Sequence, residues 1–357
     1  MSDRQAYIAF NLTDRIGPAK LERLAEAAGG SVAAAWEAYP EKVSRTGGEV
    51  DVAAEEELAK RYGVKIVTPA DEGYPARLRG VPGAPLALYV KGDVAALSKP
   101  MVAIVGTRRA TPYGHAVAHR LAADLASAGW CVVSGLALGI DADGHRGALD
   151  ARGLTVGVIG SGLDRFYPER NRDLAREIVA KGGAVASQFP FGRPADEQTF
   201  PIRNHVVAAL AQGVVAVECP QKSGTLITTG IAGDLGRPVM AVPGQVDSHM
   251  SAGCLDLIRN GAILVRNADD IIEVLSPLSP RKPAKEEESA PARDPETPPY
   301  TVEESLVMLH VDAVGVSVDE LVAKTGLPPR KVNSIAMELR LKGFVRFLPG
   351  NRIALPR

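Results

Sequence analysis

Residues 100–114, PMVAIVGTRRATPYG, decide the fold of this chain. The run 101–105 is short, wholly apolar and rich in β-branched residues, which is typical of a strand buried on both faces. Thr111 and Pro112 then have the character of a helix cap and a first helical turn, and an apolar helical pattern follows. The sequence therefore predicts a buried strand that turns sharply into a helix.

The turn between that strand and that helix carries Gly106, Thr107, Arg108 and Arg109. Backbone N–H groups at a helix start, together with two guanidinium groups, suit an anion such as phosphate. A plain strand-to-helix turn fits the same residues, because the loop has one glycine and lacks the GxGxxG dinucleotide fingerprint. The turn is thus a candidate anion site.

Length, charge and cysteine usage limit the class of protein. A chain of 357 residues indicates two or three domains. The formal net charge of -1 argues against a uniformly basic nucleic-acid binder but leaves room for a local basic groove. The three cysteines are widely spaced, the first residues lack an apolar signal core, and no apolar run is long enough to span a bilayer. We therefore expect a cytoplasmic protein with no membrane association, no disulfide scaffold and no cysteine-based zinc site.

The residue patterns divide the chain into four segments. Residues 1–64 are helical in pattern, and an Ile-Gly-Pro turn at 16–18 resembles SAM or helix-hairpin-helix domains, whose turn amides contact phosphates; a small helical bundle is the alternative. Residues 65–275 form the main domain, and residues 276–299 have the proline-rich, charged composition of a disordered linker. Residues 300–357 predict three helices and a β-hairpin around a Pro-Gly-Asn turn, which together make a winged helix.

The third helix of that winged helix carries polar groups, for which DNA contact and protein contact are both open interpretations. These residues are Arg330, Lys331, Asn333, Ser334 and Arg340.

The main domain predicts the α/β class, with a Rossmann-like doubly wound, mostly parallel sheet. Short strands near residues 65–67 and 86–90 are expected at one edge of that sheet. Further candidate strands are 102–105, 131–134, 155–159, 184–187, 214–218, 239–242 and 263–265. Helical patterns fill nearly every gap between them, and parallel neighbours need such crossover connections.

Small and hydroxyl residues follow several of these strands. Because the carboxyl ends of parallel strands meet at one edge, we expect a concave rim that accepts phosphate oxygens; purely structural loops are the alternative. The glycine and hydroxyl residues of this rim are Gly106, Thr107, Ser134, Gly135, Gly160, Ser161, Gly162, Ser187, Ser223, Gly224, Thr225 and Gly244.

Phe200, Arg203 and Asn204 lie near the start of a predicted helix. An aromatic ring beside a guanidinium and an amide is used to stack a base and hold a phosphate in single-stranded nucleic acid. Phe200 could equally pack onto its own helix. Upstream, Tyr167 and Asn171 belong to a second polar and aromatic set, although the Tyr-Pro pair there also fits a rigid turn.

Six motifs, in order along residues 65–275, resemble the DprA family, the DNA-processing proteins of bacterial transformation. They are Gly106-Thr107-Arg108, Ser134-Gly135-Leu136-Ala137, Gly162-Leu163-Asp164 with Tyr167-Pro168 and Asn171, Phe200-Pro201-Ile202-Arg203-Asn204, Ser223-Gly224-Thr225-Leu226-Ile227-Thr228, and Ala241-Val242-Pro243-Gly244. The flanking segments fit the three-domain layout of that family. The resemblance implies a homodimer that binds single-stranded DNA, protects incoming strands and loads the RecA recombinase during natural transformation and recombination, without a cofactor.

The resemblance also implies site residues, because in that family the Gly-Ser-Arg turn and the Phe-Pro-x-Arg-Asn segment line the DNA pocket. The full set of expected DNA contacts is Gly106, Thr107, Arg108, Arg109, Ser134, Gly135, Gly162, Asn171, Phe200, Arg203, Asn204, Ser223, Gly224 and Thr225. This chain departs from the family at three positions. Thr107 replaces the usual serine, Leu138 stands where a basic residue is common, and His205 stands where arginine is frequent. These departures imply weaker or differently distributed phosphate contacts.

The alternative from another class is an enzyme that resembles the nucleoside-monophosphate phosphoribohydrolases of the lysine-decarboxylase-like group. Thr228 stands where those enzymes carry a catalytic carboxylate, and a hydroxyl cannot replace a general base near neutral pH. Asp141, Asp143 and Asp164 remain as acids, and Asp141, Asp143 and His145 alternate like metal ligands, with helix capping as the other interpretation. A nicotinamide oxidoreductase conflicts with the absent GxGxxG pattern. We therefore expect a binding protein with no catalytic residue and no metal.

Overall fold

The computed structural model divides the chain into two compact units, one within residues 1–280 and one within residues 281–357. The residues it describes are 1–13, 16–40, 42–43, 48–276, 301–312, 315–342, 344–348 and 352–355. Apart from residue 276, the linker predicted at 276–299 lies outside these ranges, and so does the Pro-Gly-Asn turn at 349–351.

The first unit opens with helices, as the sequence predicts. They are α1 (Asp3–Leu12), α2 (Pro18–Ala27), α3 (Val32–Ala38) and α4 (Val52–Tyr62). α1 ends at Leu12 and α2 starts at Pro18, directly after Gly17, so the two helices flank the Ile-Gly-Pro turn as predicted. Residues 14–15, which precede that turn, fall outside the described part. Phe10 packs edge-on against Trp36 with ring centroids 5.0 Å apart, and aromatic contacts of this kind hold the helices together.

The helical core continues into the neighbouring sheet. Phe191 packs edge-on against Tyr89, with ring centroids 5.4 Å apart. The Phe191 N–H donates to Oε1 of Glu55 on α4 (3.0 Å), and the side chain of Asn11 donates to the Gln188 carbonyl (3.3 Å). These contacts fix the chain just beyond one sheet strand against the amino-terminal helices.

A nine-stranded sheet forms the centre of the first unit. Its strands are β1 (Lys65–Val67), β2 (Leu88–Gly92), β3 (Met101–Val105), β4 (Cys131–Ser134), β5 (Thr155–Val158), β6 (Ala184–Ser187), β7 (Gly213–Ala216), β8 (Val239–Ala241) and β9 (Ile263–Leu264). Their spatial order is β1-β2-β6-β5-β4-β3-β7-β8-β9. β2 pairs antiparallel with both β1 and β6, and all the other neighbouring strands of this sheet pair in parallel. The predicted doubly wound, mostly parallel sheet with two short edge strands is confirmed.

Helices cover both faces of this sheet. They are α5 (Pro112–Ser127), α6 (Ile140–Asp150), α7 (Arg172–Ala180), α8 (Thr199–Leu210), α9 (Gly224–Asp234), α10 (Ala252–Arg259) and α11 (Ala268–Leu275). β3 shows why both faces are needed, because Ala103 and Val105 enter the core on one side while Val102 and Ile104 enter the core on the other. The strand order reverses between β3 and β7, and ligands of such sheets bind at that reversal, beyond the carboxyl ends of the strands.

The second unit is a winged helix. Its elements are α12 (Val302–Met308), β10 (Val316–Ser317), α13 (Val318–Thr325), α14 (Pro329–Leu341), β11 (Arg346–Leu348) and β12 (Arg352–Ala354). β12 pairs with both β10 and β11. The three helices and the hairpin confirm the prediction, whereas the two-residue β10 was too short to be found from a sequence pattern. Among the described residues of both units, no helix has the length and hydrophobicity that crossing a bilayer requires.

The polar side chains of α14 are largely used within this unit. Lys331 pairs with Glu303 (2.9 Å), and the Arg340 guanidinium lies 5.2 Å from the centre of the Phe347 ring. The Asn333 side chain donates to a backbone carbonyl of its own helix. The helix therefore presents fewer free DNA-contacting groups than its sequence indicates.

Candidate nucleic-acid interface

A cleft of about 500 Å³ opens at the carboxyl ends of β3, β4 and β7, where the strand order reverses. The starts of α8 and α9 form its other walls. The predicted site residues that line it are Gly106, Thr107, Arg108, Arg109, Gly135, Phe200, Arg203, Asn204, Ser223, Gly224 and Thr225. Residues from four separate parts of the sequence thus meet in one concave surface.

Three predicted site residues do not line this cleft. The Ser134 hydroxyl donates to the Ile104 carbonyl (2.6 Å), and the Gly162 N–H donates to the Arg193 carbonyl (2.8 Å). The buried Asn171 side chain donates to the carbonyls of Leu136 (2.8 Å) and Ala137 (2.9 Å). These three residues therefore form hydrogen bonds with the backbone of neighbouring segments rather than lining the cleft.

The start of α5 differs from the expectation of an open anion site. The Thr111 N–H and hydroxyl donate to the two carboxylate oxygens of Glu218 (2.9 and 2.6 Å). A Cβ atom at Gly114 would lie 2.2 Å from Oε2 of Glu218, so only glycine leaves room for that carboxylate. The buried Glu218 therefore occupies the start of α5 itself, whereas the turn before it, which carries Arg108 and Arg109, lines the cleft.

The start of α9 is open to the cleft. Ser223 caps it, since its hydroxyl oxygen accepts the Thr225 N–H (3.2 Å). Gly224 is exposed, and a Cβ atom there would meet nothing within 4 Å. The neighbouring Lys222 is exposed and forms no ion pair with any residue that the structure describes. The exposed backbone of Gly224 and the cation of Lys222 are thus available to a phosphate at this point.

Phe200 and Arg108 form the mouth of the cleft. The exposed Arg108 guanidinium lies 5.0 Å from the centre of the Phe200 ring, which is a cation–π contact. Tyr167 is 49% exposed, and its ring centre lies 6.0 Å from that of Phe200. The sequence motif includes Tyr167, but its Tyr-Pro pair fits a rigid turn, so the expected DNA contacts omit it.

Arg203 lies in the floor of the cleft rather than at its surface. Its side chain is 5% exposed, and its guanidinium donates to the carbonyls of Gly135 and Val158 and to the side chain of Asn204. Burial lowers the pKa of Arg203 to about 10. The guanidinium therefore binds the start of α8 to the loop after β4, and little of it remains for a ligand.

Asp141 faces Arg203 across Gly135. Its Oδ2 accepts the N–H groups of Gly135 (3.1 Å) and Ala137 (3.4 Å). Burial raises the pKa of Asp141, and the nearby Arg203 partly offsets this rise. A Cβ atom at Gly135 would lie 2.7 Å from both Cζ of Arg203 and Oδ2 of Asp141. Glycine is required here because two buried charges flank the backbone.

The residues with metal-like spacing do not meet. Asp141 faces the cleft, Asp143 bonds His115 (2.5 Å), and the buried His145 bonds the Thr155 hydroxyl (2.7 Å). Burial lowers the pKa of His145 to about 3. Within the described ranges, no three acidic, histidine or cysteine side chains are placed to hold a metal. The capping interpretation is also wrong, because α6 begins without a side-chain cap.

The acids proposed for an enzyme are likewise separated. Asp164 accepts the Gly192 N–H (2.9 Å) away from the cleft. The acids that line the cleft are the buried Asp141 and the exposed Glu197. Thr228, where the hydrolases carry their carboxylate, lines the cleft. This arrangement lacks the carboxylate that the alternative activity needs.

Two of the three departures from the family pattern have a structural explanation. The Thr107 hydroxyl accepts the Arg109 N–H (3.2 Å), so it shapes the turn as a serine would. His205 lies against Gly83, outside the cleft lining.

The fold and the cleft define a Rossmann-like α/β protein with a polar crevice at its switch point. The chain belongs to the DNA recombination-mediator protein A family, whose model matches residues 65–276, and the DprA winged helix model matches residues 288–351. This confirms the family resemblance and the fold class. The family consists of DNA-processing recombination mediators, in agreement with the expectation of a protein that is not an enzyme.

Individual members of this family are similar to the chain in sequence and in structure. Protein Smf from Synechocystis sp. is 30% identical over 393 aligned residues, which cover 98% of each chain. The structure of DNA processing protein A from Streptococcus pneumoniae matches with a TM-score of 0.64 and 30% identity, covering 77% of this chain and 98% of that one. The protein of the same name from Helicobacter pylori, described for its single-stranded DNA binding mode, matches with a TM-score of 0.54 and 30% identity, covering 60% and 98%.

Proposed function

We propose that this protein binds single-stranded DNA in the cleft between β3 and β7 and breaks no bond in it. The observation that carries this proposal is the exposed Arg108 guanidinium 5.0 Å above the Phe200 ring at the mouth of the cleft. An aromatic face stacks any base, and a cation beside it contacts the adjoining phosphate, so the pair binds unpaired strands with little sequence preference.

The open start of α9 supports the same proposal. Lys222 and Gly224 line the same cleft as Arg108 and offer a second place for phosphate oxygens. The net charge of the whole chain is -1, so attraction to DNA phosphates has to come from a local group of cations, such as Arg108, Arg109 and Lys222 in the cleft lining. The Helicobacter pylori relative, named for single-stranded DNA binding, adds support from outside the chain.

We also propose that the protein protects DNA strands and loads RecA during transformation and recombination, as a homodimer in the cytoplasm. The support for RecA loading is the family description as a recombination mediator. The support for a dimer is β9, which ends the sheet and exposes Ile263 (41%) and Leu264 (44%). An apolar edge strand without a neighbour is suited to pairing with a second copy.

Titration with fluorescently labelled dT oligomers at low salt tests DNA binding. We expect the anisotropy to saturate with the wild-type protein, and Phe200→Ala to lose about 1 to 3 kcal/mol of binding free energy because the stacked base loses its support. Arg108→Ala should weaken binding and lower its salt dependence. Arg120→Ala is the matched control, since Arg120 is exposed on α5 outside the cleft lining and carries the same charge.

An assay for release of the base from AMP runs in parallel. Failure of the wild-type protein to bind oligomers at low salt would overturn the proposal, and so would sustained hydrolysis of AMP. Size-exclusion chromatography with light scattering tests the dimer, with Leu264→Lys as the variant expected to give a monomer.

A further inference from the structure

The segment between β5 and α7 is held firmly beside the cleft. Asn171 donates to two carbonyls of the loop after β4, as described above. The Arg172 guanidinium lies 5.4 Å from the centre of the Phe166 ring and forms two hydrogen bonds with the Glu169 carboxylate (2.6 and 2.7 Å). These contacts restrain the chain on both sides of Tyr167 before any ligand binds.

Tyr167 itself is not used by the fold. Its ring is 49% exposed, and its hydroxyl has no hydrogen-bond partner within the described part of the chain. Other tyrosines are bonded: the Tyr74 hydroxyl donates to the Pro85 carbonyl and the Tyr113 hydroxyl donates to the Pro243 carbonyl. A large, half-exposed aromatic ring on a rigid support has the properties of a binding platform.

A second, smaller hollow of about 50 Å³ adjoins the cleft at this ring. Its apolar wall comes from Leu138, Tyr167, Pro168 and Phe200. Arg108 lines both the hollow and the cleft, and its guanidinium lies 5.0 Å from the centre of the Phe200 ring, which also lines both. The structure thus brings the Arg108 guanidinium close to two neighbouring aromatic rings, those of Tyr167 and Phe200. A phosphate that links two nucleotides bound at these rings would lie near this cation.

The geometry of the two rings decides how many bases they can hold. The centres of Tyr167 and Phe200 are 6.0 Å apart, and their planes are inclined by 40°. A base between two parallel rings needs about 7 Å, twice the ~3.5 Å contact distance of carbon atoms. The two rings therefore cannot clamp one base between them in this arrangement, so two bases would need separate positions, one beside each ring.

We infer that Tyr167 forms a second base-binding subsite, so that the protein holds two successive nucleotides of a single strand with Arg108 on the phosphate between them. This inference rests on the proposed single-stranded DNA binding and adds a specific platform to it. Leu138 then has a function where the family commonly carries a basic residue, because it supplies apolar contact to the second base in place of a charge.

Photocrosslinking and affinity measurements together test the second subsite. With dT oligomers that carry 5-iododeoxyuridine, we expect crosslinked peptides to include both Tyr167 and Phe200. Tyr167→Ala should lower the affinity for unmodified dT oligomers about fivefold or more, whereas Tyr167→Phe, which keeps the ring, should bind nearly as the wild type does. The melting temperature of each variant shows that the exposed substitution leaves the fold intact.

Tyr62→Ala is the matched control, because Tyr62 is also exposed (41%) and stacks on a phenylalanine, Phe191, away from the cleft. It should leave the affinity unchanged. The inference is overturned if Tyr167→Ala binds like the wild type while Phe200→Ala does not, or if crosslinks form at Phe200 alone. Absence of binding by the wild type would instead remove the proposed function itself, so the two failures are distinguishable.

Discussion

Two helices start at the same edge of the sheet, one after β3 and one after β7, and they use that position differently. The start of α5 is occupied by the buried carboxylate of Glu218, which is 107 residues away in sequence. The start of α9 is capped by its own Ser223 and otherwise faces the cleft. Both follow a buried strand and a small-residue loop, so only the long-range partner separates a closed helix start from an open one.

Arg203 and Arg108 of the predicted site differ in the same way, because one is enclosed by the protein and the other is open to the cleft. Arg203 is enclosed and bonded to backbone carbonyls, whereas Arg108 is exposed and contacts an aromatic ring. One side of the cleft is thus a closed polar layer that stabilises the fold, and the other is an open layer that is available to a ligand. Substitutions should therefore affect stability on the closed side and binding on the open side.

The largest expected effect is that of Arg203→Ala on the closed side. Removal of the guanidinium leaves Asp141 buried without its neighbouring positive charge and two carbonyls without a donor, so we expect a loss of about 3 to 5 kcal/mol in the free energy of unfolding. Urea denaturation followed by tryptophan fluorescence measures it, since both tryptophans, Trp36 and Trp130, lie in the first unit. A loss below about 1 kcal/mol would contradict the closed role.

The next effect concerns pH and the buried His145. Its folded pKa of about 3 is below the ordinary value of ~6.5, so the unfolded chain binds more protons as the pH falls below about 6.5, and stability is lost from there down to about pH 3. At pH 5 the loss from this group is about 2 kcal/mol. His145→Gln should remove that part of the pH dependence, whatever its own cost at pH 7.

The control for this pH experiment is His249→Gln, because His249 is exposed. It should keep the pH dependence of the wild type between pH 7 and pH 5. An unchanged slope for His145→Gln as well would show that His145 is not held neutral by the fold.

Glu218→Gln should have a somewhat smaller effect, about 1.5 kcal/mol of stability, because it replaces a charged acceptor of two hydrogen bonds with a neutral one. DNA affinity should not change, since this helix start faces the protein. Stronger binding of dT oligomers by Glu218→Gln at low salt would mean that the start of α5 is open to phosphate after all.

The smallest effects on stability are expected on the open side. Arg108→Ala and Lys222→Ala should each change the free energy of unfolding by less than about 0.5 kcal/mol. Each should also reduce the slope of the logarithm of the binding constant against the logarithm of salt concentration by about 0.7, because one phosphate contact is lost. Anisotropy titrations over a series of salt concentrations measure that slope, and unchanged slopes in both variants would remove these residues from the interface.

The sequence predicted the fold well for physical reasons. The strands of the sheet are buried on both faces and are therefore continuous apolar runs, as residues 101–105 show, and Thr111 with Pro112 marks the start of α5 correctly. The limits of several strands differ from the prediction by one or two residues, because the last apolar residues pair less regularly at strand ends.

The sequence predicted which residues lie near the cleft better than it predicted their contacts, because the type of a residue does not show which distant side chain or carbonyl it bonds. Phe200 and Arg108 meet as expected, but the sequence has no local signal that Glu218 would fill one helix start or that Arg203 would be enclosed. Tyr167 was left out of the expected DNA contacts, although the sequence pattern placed it in a polar and aromatic set. Its motif fits a turn, and only the distance to Phe200 shows that the ring also faces a hollow.

The contact between Phe191 and the amino-terminal helices joins two parts of the chain that sequence patterns separate. Glu55 on α4 holds the backbone at Phe191, and α8, which carries Phe200, begins eight residues further on. A ligand that restrains the start of α8 should therefore slow amide hydrogen exchange in helices it never touches. The amino-terminal helices would then report occupancy of a crevice whose lining residues all lie outside them.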